Sequence, residues 1–113
     1  MKFLYKDSKR KNISDEIILD DYCESEANLP IDGAYAKING SLGPKVNKSF
    51  SELFFIISGT LLIEQDGVTH ELQAKDMYII HPNTKHKILG TKCEAFISCS
   101  PQFKANDVEY YCD

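Results

Sequence analysis

The chain has 113 residues, a formal net charge of -4, 42% hydrophobic residues and 27% charged ones. That length fits one domain, 1-113, which buries roughly 65% of its unfolded surface and can hold a core without staples. The acidic balance argues against a nucleic-acid partner, which needs a basic face, and no apolar run is long enough for a membrane-spanning helix.

Residues 1-33 read as an irregular, acidic lead-in to a barrel spanning about 34-100. Met1-Lys2-Phe3-Leu4-Tyr5 turns polar at Lys6-Asp7-Ser8, without the apolar stretch of a secretory signal, so a cytoplasmic location is expected. The one dense basic run, Lys9-Arg10-Lys11, is answered by Asp15, Glu16, Asp20 and Asp21, which predicts a solvated mixed-charge surface. Ile17-Ile18-Leu19 reads as a short strand and Leu29 to Gly33 as a turn. Ala34 to Ile38 alternates as a strand and stops at Asn39-Gly40, and Gly40 to Pro44 is turn-rich. Leu53 to Ile57 is a strong β run ending at Ser58-Gly59. Thr60 to Gln65 and Val68 to Leu72 flank Asp66-Gly67, a strong hairpin signal. Met77 to Ile80 is closed by His81-Pro82-Asn83; His86 to Leu89 and Cys93 to Cys99 complete the strands, and a polar tail follows Ser100-Pro101. Many short strands with regular turns predict an all-β sandwich or barrel.

Leu53 to Ile57 does not alternate, so both its faces need a cover. In a short chain that cover is the N-terminal segment or a second subunit, and a homodimer is expected. Cys23, Cys93, Cys99 and Cys112 contain no Cys-x-x-Cys pair, which predicts reduced thiols packed as small hydrophobes. Cys93 and Cys99 fall on one strand with the same facing, too far apart to bridge.

From Gly40 to Leu89 the chain resembles a small single-domain cupin. The family's first motif is a glycine, five residues, His-x-His, three or four residues, Glu, six residues, Gly. Here Gly40, Glu52 and Gly59 hold their places, while Val46 and Lys48 fall where the histidines would be. A shift of one residue offers Lys45 and Asn47 instead. In the second motif Lys75 takes the glycine slot, His81 the proline, Asn83 the second glycine, His86 the histidine, and Gly90 replaces the asparagine. Asn83 keeps the sense of its slot, since asparagine tolerates positive φ. The resemblance implies a jelly-roll β-barrel of the cupin type.

In metal-binding cupins two histidines and a glutamate from the first motif and a histidine from the second hold a cation. Here the histidines are His70, His81 and His86, so no imidazole precedes residue 70. Glu52 and His86 alone make a weak site, and no bound metal or other cofactor is expected. The resemblance leaves Glu52 and His86 as an acid/base pair in an apolar cup, or as a satisfied polar pair. Lys48, turned inward, would stand in for the missing cation. Val46, His81, His70 and Tyr78 are further candidate ligand-binding residues, His81 in a turn and His70 sharing the facing of Leu72 on the hairpin.

These readings converge on a small-molecule-binding or accessory domain without metal. Two enzyme readings stand beside it: a metal-independent isomerase, epimerase or lyase acting on a sugar or organic acid through Glu52 and His86, and a metalloenzyme with a residual site.

Overall fold

A computed structural model describes residues 1-112 of the chain. Nine strands run in chain order: β1 Lys9–Ser14, β2 Ile17–Asp21, β3 Ala34–Ile38, β4 Ser41–Asn47, β5 Ser51–Gln65, β6 Val68–Leu72, β7 Met77–Ile80, β8 His86–Ser100 and β9 Val108–Tyr110. The only helical pieces among the described residues are two three-residue turns, Tyr5–Asp7 and Ala105–Asp107. Every strand pairing is antiparallel.

β5 and β8 are long, bent and paired along their length, from Ser51↔Ser100 to Gln65↔His86. Each runs through both halves of a curled sheet. One half has the order β1-β2-β3-β8-β5-β7 and uses the last part of β8 with the first part of β5. The other half is β9-β4-β8-β5-β6 and uses the remaining parts. The two halves face each other as a jelly roll, and the core lies between them. Phe54, Ile56, Leu61, Ile63, Ile80 and Ala95 are among its fully buried members. The four runs expected as Leu53-Ile57, Thr60-Gln65, His86-Leu89 and Cys93-Cys99 are thus two strands. Each strand changes its inward parity where it bends: β5 buries Phe54 and Ile56, then Leu61 and Ile63. Gly59 sits at that bend with φ +76, and a Cβ there would meet the Lys92 carbonyl oxygen at 2.1 Å.

Turn chemistry follows the sequence closely. Asp66 (φ 54) and Gly67 (φ 75) join β5 to β6 in the doubly left-handed conformation that a two-residue hairpin requires. Asn83 takes φ 63, and Lys75, in the motif's glycine slot, takes φ 75.

Four expectations need correction. The lead-in is not irregular: it supplies β1 and β2, which extend one half of the barrel beyond β3. β1 escapes an apolar pattern because it is an edge strand with five of its six residues exposed. The basic run pairs across to β2, Arg10 with Asp20 at 2.9 Å and Lys11 with Asp21 at 3.2 Å. The stretch Gly40 to Pro44 lies largely within β4, and the polar tail returns as β9 on β4's outer edge. Cys23, Cys93 and Cys99 are buried thiols, but Cys112 is exposed.

Candidate functional site

The site begins with a bulge in β4. The strand pairs Leu42 with Ile88 and Lys45 with His86, so one extra residue is inserted between them. Gly43 carries the bulge at φ +102, and a Cβ there would meet the His86 carbonyl oxygen at 2.9 Å. A bulge re-aims every side chain that follows it. Leu42 faces the interior, and beyond the bulge Lys45 and Asn47 do so instead of Val46 and Lys48. Lys45 and Asn47 are buried, with 6% and 0% of their surface exposed.

The inward lysine is therefore Lys45, not Lys48. Lys48 is exposed and pairs with Glu109 at 2.9 Å, and Val46 faces outward beside Glu109 on β9. His81 is exposed in its turn. His70 is exposed as well, its ring 5.2 Å from that of Tyr78. Tyr78 is half-buried and donates to Gln65 Oε1 at 2.9 Å. None of these five lines the cup described below.

Glu52 and His86, the two motif positions that the resemblance leaves in register, do come together. Glu52 is the second residue of β5 and His86 the first of β8, both facing inward. Glu52 Oε1 accepts from Asn47 Nδ2 at 3.0 Å and lies 3.6 Å from Lys45 Nζ and 3.8 Å from His86 Nε2. His86 Nδ1 lies 2.9 Å from the Thr84 carbonyl oxygen, and an acceptor there fixes the proton on Nδ1. Nε2 then carries a lone pair; it and Asn47 Oδ1 are fully buried without a hydrogen-bond partner. Burial holds the imidazole below its ordinary value of 6.5, and the Lys45 ammonium adds to that, against the Thr84 carbonyl and the Glu52 carboxylate. His86 is accordingly neutral at pH 7.

Above this cluster opens a cup of about 120 Å³. Its walls are mainly aliphatic, Ile17 and Leu19 from β2, Ala36 and Ile38 from β3, and Ile88 and Ile97 from β8. Lys45 and Glu52 lie on its floor. Asp32 and Cys99 also line it, and Phe103 and Tyr110, both partly exposed, stand at its edge. Asp32 accepts from the backbone amides of Cys99 at 2.7 Å and Phe103 at 2.8 Å; burial raises its carboxyl above the usual range, and nearby Asp21 and Glu52 push it further. Burial pushes the Cys99 thiol far up, so it offers no thiolate at neutral pH. His86 is absent from the cup wall: its side chain is sealed behind Glu52. Sequence reasoning missed the contribution of β2, although the apolar alternation of Ile17 and Leu19 is a signal of it.

These residues do not fit a transition-metal centre. At the four positions that would hold one stand Lys45, Asn47, Glu52 and His86, an ammonium, an amide, one carboxylate and one imidazole. Three or more strong donors are needed, and the ammonium beside Glu52 repels a cation from the place where the donors meet. Among the described residues no group of three His, Cys, Asp or Glu side chains is placed to hold a metal ion. Likewise, among them no helix is long and apolar enough to cross a membrane.

The fold matches known structures over nearly its whole length. The Streptomyces nucleoside dehydratase Pac13 aligns with a TM-score of 0.83 at 19% identity, covering 98% of this chain and 90% of that one. A Pac13 variant with uridine aligns with the same score and identity over 98% and 89%. KdgF from Halomonas sp. aligns with a TM-score of 0.74 at 14% identity over 91% and 96% of the two chains. No curated protein matches the chain in sequence. The cupin domain model matches residues 39-96, the segment from the start of β4 through most of β8 that holds Lys45, Asn47, Glu52 and His86, and the chain belongs to the cupin family.

Proposed function

We propose that this chain binds a small, largely uncharged organic molecule in the cup, without a metal. The carrying observation is the cup itself: an aliphatic wall with a few polar groups gathered at one end. That is the general form of a ligand site. A cavity of roughly 150 Å³ accommodates one benzene ring, so this somewhat smaller cup takes no more than a single small ring. The charged groups around it nearly cancel, Lys11 and Lys45 against Asp21, Asp32 and Glu52, with Lys11 already paired to Asp21 and Glu24. A strongly charged ligand gains little there. The uridine of the Pac13 complexes makes nucleosides and their bases a reasonable first set of probes. Saturation-transfer NMR with uridine, uracil and small cyclic sugars tests the proposal. Binding that disappears in Leu42→Trp, which fills the cup, supports it; binding that survives that variant places the ligand elsewhere.

A second reading is a metal-independent isomerase, epimerase or lyase. It is favoured by Glu52, which faces the cup on one side and the unpartnered His86 Nε2 on the other. Acid/base pairs in apolar surroundings are built in this way. The dehydratase activity of Pac13 is compatible with such chemistry on this fold.

Assembly as a homodimer is part of the proposal. Phe55, Ile57, Met77, Ile79 and Phe96 all lie on the outer face of β7-β5-β8 and are all exposed. β1 and β2 lie beyond β3 and leave this face uncovered.

A further inference from the structure

Lys45 is a buried charge in an odd setting. It is almost completely enclosed, yet its nearest charged partner is Glu52 Oε1 at 3.6 Å, and no hydrogen bond to another described residue holds its Nζ. Buried ammonium groups ordinarily satisfy their donors. Here those donors face the cup. Glu52 is similarly arranged. Asn47, Lys45 and His86 all make their closest approach to Oε1, and none of these approaches uses Oε2.

The geometry points to proton transfer next to a carbonyl group, and we infer that Lys45 is the electrophile and Glu52 the base. This rests on the acid/base reading of the cup given above and names its substrate class: a ring-sized ketone, aldehyde or lactone with a hydrogen on the adjacent carbon. The carbonyl oxygen accepts from Lys45 Nζ. Glu52 takes the proton from the adjacent carbon, the C–H electron pair forms a C=C bond, and the carbonyl π pair moves onto oxygen. The resulting enolate is held by the ammonium in a water-poor site, where a fixed charge is worth most. Returning the proton to the same carbon gives exchange or epimerisation. Where the next carbon bears a hydroxyl, the pair expels it, and the proton on Glu52 completes a water molecule. No oxidant or reductant is consumed.

His86 is then a positioning residue. Its Nδ1 is committed to Thr84, so Nε2, now 3.8 Å from Glu52 Oε1, can accept from the protonated carboxyl when the two side chains close by a few tenths of an ångström. Lys45 occupies one of the places that a metal ligand would, and its charge supplies the polarisation that a cation would supply.

The test uses cyclohexanone and δ-valerolactone as probes, with cyclohexanol as a ring that lacks the carbonyl. Binding is followed by saturation transfer and deuterium incorporation from D₂O by proton NMR. Wild-type protein is expected to exchange the protons next to the carbonyl at least about a hundredfold faster than buffer. Glu52→Gln keeps an oxygen for Asn47 and should bring exchange to the buffer rate. Lys45→Met should lower exchange by about 10²–10³-fold while cyclohexanol still binds. Circular dichroism confirms that each variant is folded, and the wild-type rate decides the matter even if Lys45→Met is not. Carbonyl probes that bind without exchanging would overturn this inference and leave the binding reading intact. If none of the three rings binds, the reading of the cup falls as well.

Discussion

Along β5 two opposite arrangements lie back to back. The inward side chains are Glu52, Phe54 and Ile56, and the outward ones are Leu53, Phe55 and Ile57. The inner face ends in a buried charged cluster, where burial of charge is costly. The outer face exposes an apolar row, where burial would be favourable. Each face departs from the usual partition of polar and apolar groups in the opposite sense. A fold selected for stability alone would favour neither departure. The ligand proposed above would account for the inner one, and the proposed second subunit for the outer one.

The largest effect is expected on the inner face. Lys45→Met leaves Glu52 without its ammonium and should cost about 3–5 kcal/mol in chemical denaturation. Lys45→Met combined with Glu52→Leu removes both charges and should recover most of that loss. A double variant whose loss is the sum of the two single losses would show that the pair is not coupled.

Next comes the metal. Lys45→His with Asn47→His places imidazoles on the inward side of β4, and zinc or nickel affinity should rise by about a hundredfold over wild type in equilibrium dialysis. Val46→His with Lys48→His changes outward positions and should leave it unchanged. The wild-type protein, purified without an affinity tag, should carry well under one equivalent. Stoichiometric metal bound through His86 would remove the distinction between the two faces of β4.

The outer face offers a somewhat smaller effect. Light scattering should give twice the 12.8 kDa of one chain at micromolar concentration. Phe55→Ser with Ile79→Ser should weaken the dimer by about 2 kcal/mol or more, as loss of central apolar anchors does. A clean wild-type monomer would leave the exposed row unexplained by self-association.

The smallest effect is a pH dependence. His86 is held below its ordinary value in the fold, so below about pH 6.5 the unfolded chain takes up a proton that the folded one refuses. Its contribution to stability is therefore complete above that pH and falls as pH drops, by at most about 1.4 kcal/mol per pH unit. His86→Gln should flatten this part of the profile; an unchanged slope would place the titrating group elsewhere.

Much of the barrel was legible in the sequence because its signals are local. The Asp66-Gly67 hairpin, the positive φ of Asn83 and the apolar runs of β5 and β8 depend on residues a few positions apart. The candidate site was legible in part. Glu52 and His86 both face inward and lie 3.8 Å apart, but only Glu52 lines the cup. Lys48 and Val46 face outward, because one inserted residue at Gly43-Pro44 exchanges the two faces of everything after it in β4. β1 and β9 were missed for another reason: as edge strands, they carry polar sequences and are held chiefly by pairing to a neighbour.

The sequence by itself determined the all-β class, the turn positions and the shortage of imidazole at the motif positions, since composition and short-range backbone preference suffice for these. Only the tertiary structure decided which lysine is buried, that His86 stands behind Glu52 instead of in the cup, and that β2 forms part of the wall. Those outcomes depend on strand register and on which strand lies beside which. Both are fixed by hydrogen bonds between residues far apart in the chain, such as the pairing of Lys45 with His86.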